Sequence, residues 1–110
     1  MNYDSIRDLQ AAVAAFVDAR DWAKLHTPKN LAMSIAVEAA EIMELFQWTR
    51  TDAEALESLR NKILKEDLSL ELADVIIYCL SLSYRSGIDL GEAVRRKIQL
   101  NETRFPIGQK

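Results

Sequence analysis

Two apolar stretches, each carrying one narrow acidic stripe, constrain this chain more than any other feature. The first, 31–48, contains Glu38-Ala39-Ala40-Glu41, and the second, 68–82, contains Glu71-Leu72-Ala73-Asp74. In each pair the acids stand three residues apart, so on a helix they share one face. At ~100° per residue, Glu38 and Glu41 lie about 60° apart, with Ser34 between them and Glu44 about 60° further on. Those four are the only polar residues from Leu31 to Phe46. In the second stretch Asp67, Glu71, Asp74, Tyr78 and Ser81 fall within roughly 80° of arc. Apart from Ser69, their neighbours there are apolar.

A solvent-facing side is the ordinary explanation for charges at helical spacing. Two features count against it. Neither 31–46 nor 68–84 contains a Lys or Arg, whereas an exposed helical face usually mixes signs and gains from i, i+4 pairs. Like charges three apart also repel, by a few tenths of a kcal/mol on an exposed helix. If partly buried, such carboxylates must protonate or meet a cation. Carboxylates from two neighbouring helices offer only oxygen donors, which suit a hard divalent ion: Mg²⁺, with Mn²⁺ as the second choice. A di-iron centre in a helical bundle uses Glu-x-x-His on two helices. Here the motifs are Glu-x-x-Glu and Glu-x-x-Asp, and His26 lies outside both.

Around these stretches the chain reads as one helical domain, 1–110. There are three Gly and two Pro, and no segment alternates with period two. A net charge of −3 without a basic cluster argues against a nucleic-acid partner. No apolar run is long enough to span a bilayer, and Met1-Asn2-Tyr3-Asp4 lacks a signal pattern. A cytoplasmic protein with no membrane partner is the expectation. The single cysteine, Cys79, reads as a small core hydrophobe.

Local signals set the expected boundaries. A first helix spans about 4–21, capped by Asp4 or Ser5, with Ile6, Leu9, Val13, Phe16 and Val17 on its buried face. A connector follows, and Thr27-Pro28 fits an N-cap with proline at the first helical position of a second helix, about 28–47. Thr51-Asp52-Ala53-Glu54 is a capping box opening a short helix to about 62. A break is expected near Lys65-Glu66-Asp67, then a long helix over about 65–86, stopped by Gly87. Asp89-Leu90-Gly91-Glu92 caps a last helix, which ends near Arg104 before Pro106. The fold class that follows is all-α, a four-to-five-helix bundle. The two acidic helices are apolar on about two-thirds of their circumference, more than the roughly 100–140° that a monomeric bundle buries. The surplus predicts a homodimer or homotetramer with two-fold interfaces.

Several other side chains admit two uses. Trp22 and Trp48, each at a helix end, are either edge-of-core residues or walls of a slot in which a flat base stacks, an interaction of about 1–3 kcal/mol. Tyr78, one turn beyond Asp74, suits a ligand wall. His26 is the only histidine and is either structural or chemical. Lys97, Asn101 and Arg104 step along one side of the last helix, as a solvated face or as contacts to phosphate oxygens.

Taken together, the two acidic pairs and their surroundings resemble the all-α nucleoside triphosphate pyrophosphatases, the MazG-like superfamily. The segments Arg20-Asp21-Trp22, His26-Thr27-Pro28-Lys29-Asn30-Leu31, Glu44-Leu45-Phe46-Gln47-Trp48, Asp74-Val75-Ile76-Ile77-Tyr78 and the tail Lys97…Asn101…Arg104-Phe105-Pro106 look most like the dCTP pyrophosphatase branch. The resemblance implies an oligomeric helical bundle with sites built across subunits. It implies Mg²⁺-dependent hydrolysis of a nucleoside triphosphate, dCTP or a modified dCTP, to the monophosphate and pyrophosphate, as house-cleaning of the nucleotide pool. By position, it makes Glu38, Glu41, Glu71 and Asp74 the metal-holding and catalytic set, one of them orienting or deprotonating the attacking water. It makes Trp22 and Trp48 walls of the base pocket. Tyr78, Lys97 and Asn101 become contacts to sugar and phosphates, and His26, Lys29, Asn30 and Arg104 join the substrate-binding set. There are departures: the branch's base-contacting histidine falls at Val13, which cannot donate a hydrogen bond, and 51–67 matches poorly. The alternatives are a dUTP-type pyrophosphatase and a non-catalytic nucleotide-binding or interaction module.

Overall fold

The computed structural model describes residues 5–108. It consists of α1 (Ile6–Ala19), a 3₁₀ turn (Ala23–Leu25), α2 (Pro28–Phe46), α3 (Asp52–Ser58), α4 (Lys62–Ser86) and α5 (Leu90–Arg104), and no strand occurs among the described residues.

Most helix ends are where the local chemistry puts them. Ser5 Oγ accepts the Asp8 N–H at 3.0 Å; Asp4, the other candidate cap, lies outside the described residues. Thr27 Oγ1 accepts the Asn30 N–H at 3.2 Å, with Pro28 opening α2. Asp89 Oδ1 accepts the Glu92 N–H at 3.1 Å, and its other oxygen takes a 2.9 Å ion pair from Arg7. Gly87 ends α4 with φ of 67°, and the Ile88 N–H returns to the Ser83 carbonyl at 2.9 Å. The capping box at Thr51 is half made. Thr51 Oγ1 accepts the Glu54 N–H at 3.1 Å, but the Glu54 carboxylate passes Thr51 and accepts the Arg50 N–H at 2.8 Å. That bond and the Arg50 guanidinium hold the Glu54 carboxyl below its ordinary range.

One boundary differs from the expectation. The chain does not break at Lys65-Glu66-Asp67, which lie inside α4; it breaks at Leu59 to Asn61. Asn61 Oδ1 accepts the N–H groups of Ile63 and Leu64 at 2.9 and 3.2 Å. An Asn cap outweighs a local loss of apolar periodicity, because charged residues of good helix propensity continue a helix already started.

The packing is inverted relative to an ordinary soluble helix pair. α2 lies along α4, α1 packs on α4, and α5 rests chiefly on α1. The side of α2 that is withdrawn from solvent carries Leu31, Ser34, Ile35, Glu38, Glu41, Ile42 and Leu45. Its opposite stripe, Met33, Ala36, Val37, Ala40 and Met43, is apolar and exposed. α4 does the same: Leu64, Leu68, Glu71, Val75 and Tyr78 are half-buried, while Ile63, Leu70 and Ile77 stand exposed. Among the described residues only Val17, Leu31 and Leu80 are fully buried apolar side chains. On α1, Val17 is buried, Leu9 and Val13 are half-buried, and Ile6 and Phe16 are exposed; Phe16 stands open because the Leu9–Val13–Phe16 face borders a cavity and not a filled core. The radius of gyration, 16.9 Å, exceeds the about 13 Å of a compact domain of this length.

Asn61→Ala should destabilise the protein by about 1 kcal/mol, the usual cost of losing such a cap. Urea unfolding at fixed protein concentration reads this directly, and an unchanged midpoint would show that the α3–α4 break does not depend on the cap.

Candidate functional site

The inward stripes of α2 and α4 bring the acids together. One carboxylate oxygen each from Glu38, Glu71 and Asp74 can be chosen so that all lie within 4.8 Å of one another. Glu41 interacts with both Glu38 and Glu71, although it is not one of that mutually close trio. All four residues are half-buried. The inner oxygens, Glu38 Oε2 and Glu71 Oε2, are shut off from solvent and have no hydrogen-bond partner. The reason is chemical: their neighbours are other carboxylates, which when ionised only accept.

The electrostatic consequence is a raised affinity for protons. Contact with Glu41, then loss of water, then the charges of Glu41 and Glu38 push the Glu71 carboxyl up to about 7. Glu38 is also raised, first by desolvation and then by Glu41. A group of oxygen donors this close, two of them orphaned, fits a hard divalent cation, whose charge would supply what no Lys or Arg of α2 or α4 supplies here. The acids therefore do not form a solvated face, which separates the two explanations that helical spacing leaves open.

Beside the cluster, sharing Asp74 with it, is a cavity of about 590 Å³. Leu9, Ala12, Val13, Phe16 and Val17 of α1 form one wall; Ala73, Asp74, Ile76, Ile77, Tyr78 and Leu80 of α4 form the other; Trp22 and His26 of the connector complete it. Trp22 is delivered by the way α1 ends. Asp21 takes a left-handed φ of 54°, the Trp22 N–H bonds the Val17 carbonyl at 3.1 Å and the Asp21 N–H bonds Asp18 at 3.1 Å. This is a Schellman turn with Asp in place of Gly. The Trp22 ring then meets Phe16 edge-on, with centroids 5.8 Å apart, and Arg20 lies over the other aromatic partner, 3.6 Å from the Phe16 centroid.

The remaining expected site residues are distributed unevenly. Tyr78 and His26 line the slot with rings 6.3 Å apart. Asn30 braces the connector, donating from Nδ2 to the Leu25 carbonyl at 3.0 Å; Lys29 is exposed at the start of α2. Trp48 is 86% exposed and does not line this slot. Lys97, Asn101 and Arg104 are exposed on α5, and Arg104 stacks near the Phe105 ring. Phe16 and Ser81 belong to the site region, yet residue pattern assigns one to a core face and the other to an acidic stripe. The signal for Ser81 was its apolar surroundings, Cys79, Leu80 and Leu82.

Comparison with known proteins agrees with the geometry. The MazG-like family matches residues 33–110. dCTP pyrophosphatase 1 of Rattus norvegicus is 36% identical over 103 residues, 94% of this chain and 60% of that protein. The Homo sapiens protein of the same name is 36% identical over 102 residues, 93% of this chain and 59% of its own. The chain thus spans about 60% of the length of the curated relatives it matches. A pyrophosphatase from Archaeoglobus fulgidus DSM 4304, known by crystal structure, superposes with a TM-score of 0.85 at 42% identity, over 96% of each chain.

The raised Glu71 carboxyl predicts a pH dependence of stability. Its folded value of about 7 lies above the ordinary 4.5, so in chelator its contribution is complete below the ordinary value and is lost as pH rises through the folded one. Divalent cation should reverse that loss. Melting curves with EDTA or Mg²⁺ should differ little at about pH 5, and at about pH 8 the Mg²⁺ sample should melt higher.

Proposed function

The chain belongs to the MazG-like family, and from that premise we propose that it is a divalent-metal-dependent nucleoside triphosphate pyrophosphohydrolase acting on dCTP or a modified dCTP. The observation that carries the proposal is a carboxylate cluster turned inward and joined through Asp74 to an apolar slot sized for a small ligand. The names of the relatives, dCTP pyrophosphatase and pyrophosphatase, point the same way. Glu38, Glu41, Glu71 and Asp74 would hold Mg²⁺ or Mn²⁺. When bound, such an ion neutralises phosphate charge and lowers the pKa of water. The chain's own part is to place the phosphates at the cluster and the base in the slot, between the α1 wall and α4, with Trp22 and Tyr78 at its sides. Water adds across the α–β phosphoanhydride: its oxygen joins one phosphorus as the bridging P–O bond breaks. One carboxylate of the set takes its proton, and monophosphate and pyrophosphate leave.

We further propose that the working form is a homodimer or a dimer of dimers. The exposed stripes Met33–Met43 on α2 and Ile63, Leu70 and Ile77 on α4 are apolar surface that a second copy would cover. A second copy could also bring Trp48, Lys97, Asn101 and Arg104 to a site which, in their own chain, they do not line. The nucleotide would be drawn from the soluble pool, which fits a house-cleaning role in the cytoplasm, with no nucleic acid involved.

Incubation with each dNTP and Mg²⁺ should yield monophosphate and pyrophosphate, and EDTA should stop the reaction. Glu41→Gln or Asp74→Asn should cut pyrophosphate release by more than the ~10–100-fold typical of an outer-shell ligand partner, with the helical circular-dichroism signal retained. Binding without turnover in the wild type would favour the non-catalytic module instead. Sedimentation equilibrium should give a mass of at least twice 12.5 kDa; a monomer at micromolar concentration would refute the assembly.

A further inference from the structure

We infer that Ser81 is a positioning residue, holding the His26 imidazole as the group that reads the base in the slot. The inference rests on the reading of that slot as the base site.

The α1 wall cannot read a base edge: Leu9, Ala12, Val13 and Phe16 carry no side-chain donor or acceptor. Of the polar residues lining the slot, Asp74 belongs to the carboxylate cluster, and the Trp22 ring packs on Phe16. His26 and Tyr78 remain. What distinguishes His26 is its support. Ser81 is 5% exposed, and its hydroxyl lies 3.1 Å from His26 Nδ1, across a separation of 55 residues. A serine inside a helix commonly turns its hydroxyl back onto the preceding turn. Ser58, Ser69 and Ser83 do so, donating to the carbonyls of Ala55, Glu66 and Leu80 at 2.6, 2.8 and 2.9 Å. Ser81 does not; its hydroxyl is committed to the imidazole.

That commitment fixes the ring. With Nδ1 engaged, Nε2 is the remaining polar atom of a side chain that lines the slot. A hydroxyl can donate or accept; Ser81 is buried and turns its hydroxyl to no backbone carbonyl, so donation to Nδ1 is the direction that leaves its proton paired, and Nε2 then carries the N–H. A base stacked between apolar walls would then meet one oriented polar atom, at a ring or exocyclic position. A slot reading a base at such a point discriminates against bases that leave its polar atom unpaired.

The chain has one histidine, so long-range ¹H–¹⁵N spectra contain a single imidazole and need no assignment. Wild-type protein in alkaline buffer should show one predominant neutral tautomer, the one with its proton on Nε2. Ser81→Ala should show the mixture of a free imidazole, and Ser81→Thr, which keeps the hydroxyl, should retain the wild-type pattern. Adding dCMP should shift the wild-type Nε2 resonance, and Ser81→Ala should need ~3- to 10-fold more dCMP for the same shift, the worth of one hydrogen bond. The same variant should raise KM for dCTP by that factor while kcat changes by less than about twofold. A wild-type tautomer mixture, or an Nε2 resonance that dCMP does not move, overturns the inference even if Ser81→Ala fails to fold. An enzyme that releases no pyrophosphate from any dNTP defeats the proposed activity instead, and the imidazole spectra stay readable.

Discussion

The unfavourable encounter of carboxylates between α2 and α4 is the constraint on which the rest of the molecule turns. Glu38, Glu41, Glu71 and Asp74 sit half-buried, and neither 31–46 nor 68–84, the stretches that carry them, holds a lysine or arginine to meet them. Repulsion and desolvation of this kind raise proton affinity, as they do at Glu71, and oppose folding whenever the acids are ionised without a counter-charge. A divalent cation would convert the same arrangement into a binding site.

Turning the acids inward has a price, felt on the outside. A helix that spends its inner face on carboxylates has to carry hydrocarbon elsewhere, and here it lies along Met33, Val37 and Met43 on α2 and along Ile63, Leu70 and Ile77 on α4. An isolated chain is left with three fully buried apolar side chains among its described residues, too small a core for a domain of this length. The polar interior and the apolar exterior are one design, and association of copies is the physical resolution proposed for it.

In the proposed function α4 would connect recognition to chemistry. Glu71, Asp74, Tyr78 and Ser81 follow one another at three- or four-residue steps, so one rigid helix passes from the acidic cluster, through the residue it shares with the slot, to the wall and the support of His26. From Glu71 to Ser81 this spans about 15 Å. α1 contributes only apolar surface opposite, so the polar groups that line the slot come from the connector, Trp22 and His26, and from α4, Asp74 and Tyr78.

Much of this was legible in the order of residues, because the deciding forces act within a turn or two. Helical spacing placed Glu38 with Glu41 and Glu71 with Asp74, and Thr27-Pro28, Gly87 and Asp89 cap their helices through atoms at most five residues away. Missing lysines and arginines in 31–46 and 68–84 already spoke for inward acids. Asn61 was overlooked because a cap competes with a fading periodicity that reads more loudly. What residue order could not convey was which side of each helix another helix would claim. That choice belongs to the packing of α1 and α2 against α4: it made a cavity of the Leu9–Val13–Phe16 face, left Trp48 outside it, and turned Ser81 away from its own backbone toward a histidine 55 residues distant. Burial and long-range hydrogen bonds arise between segments, and no local pattern encodes them.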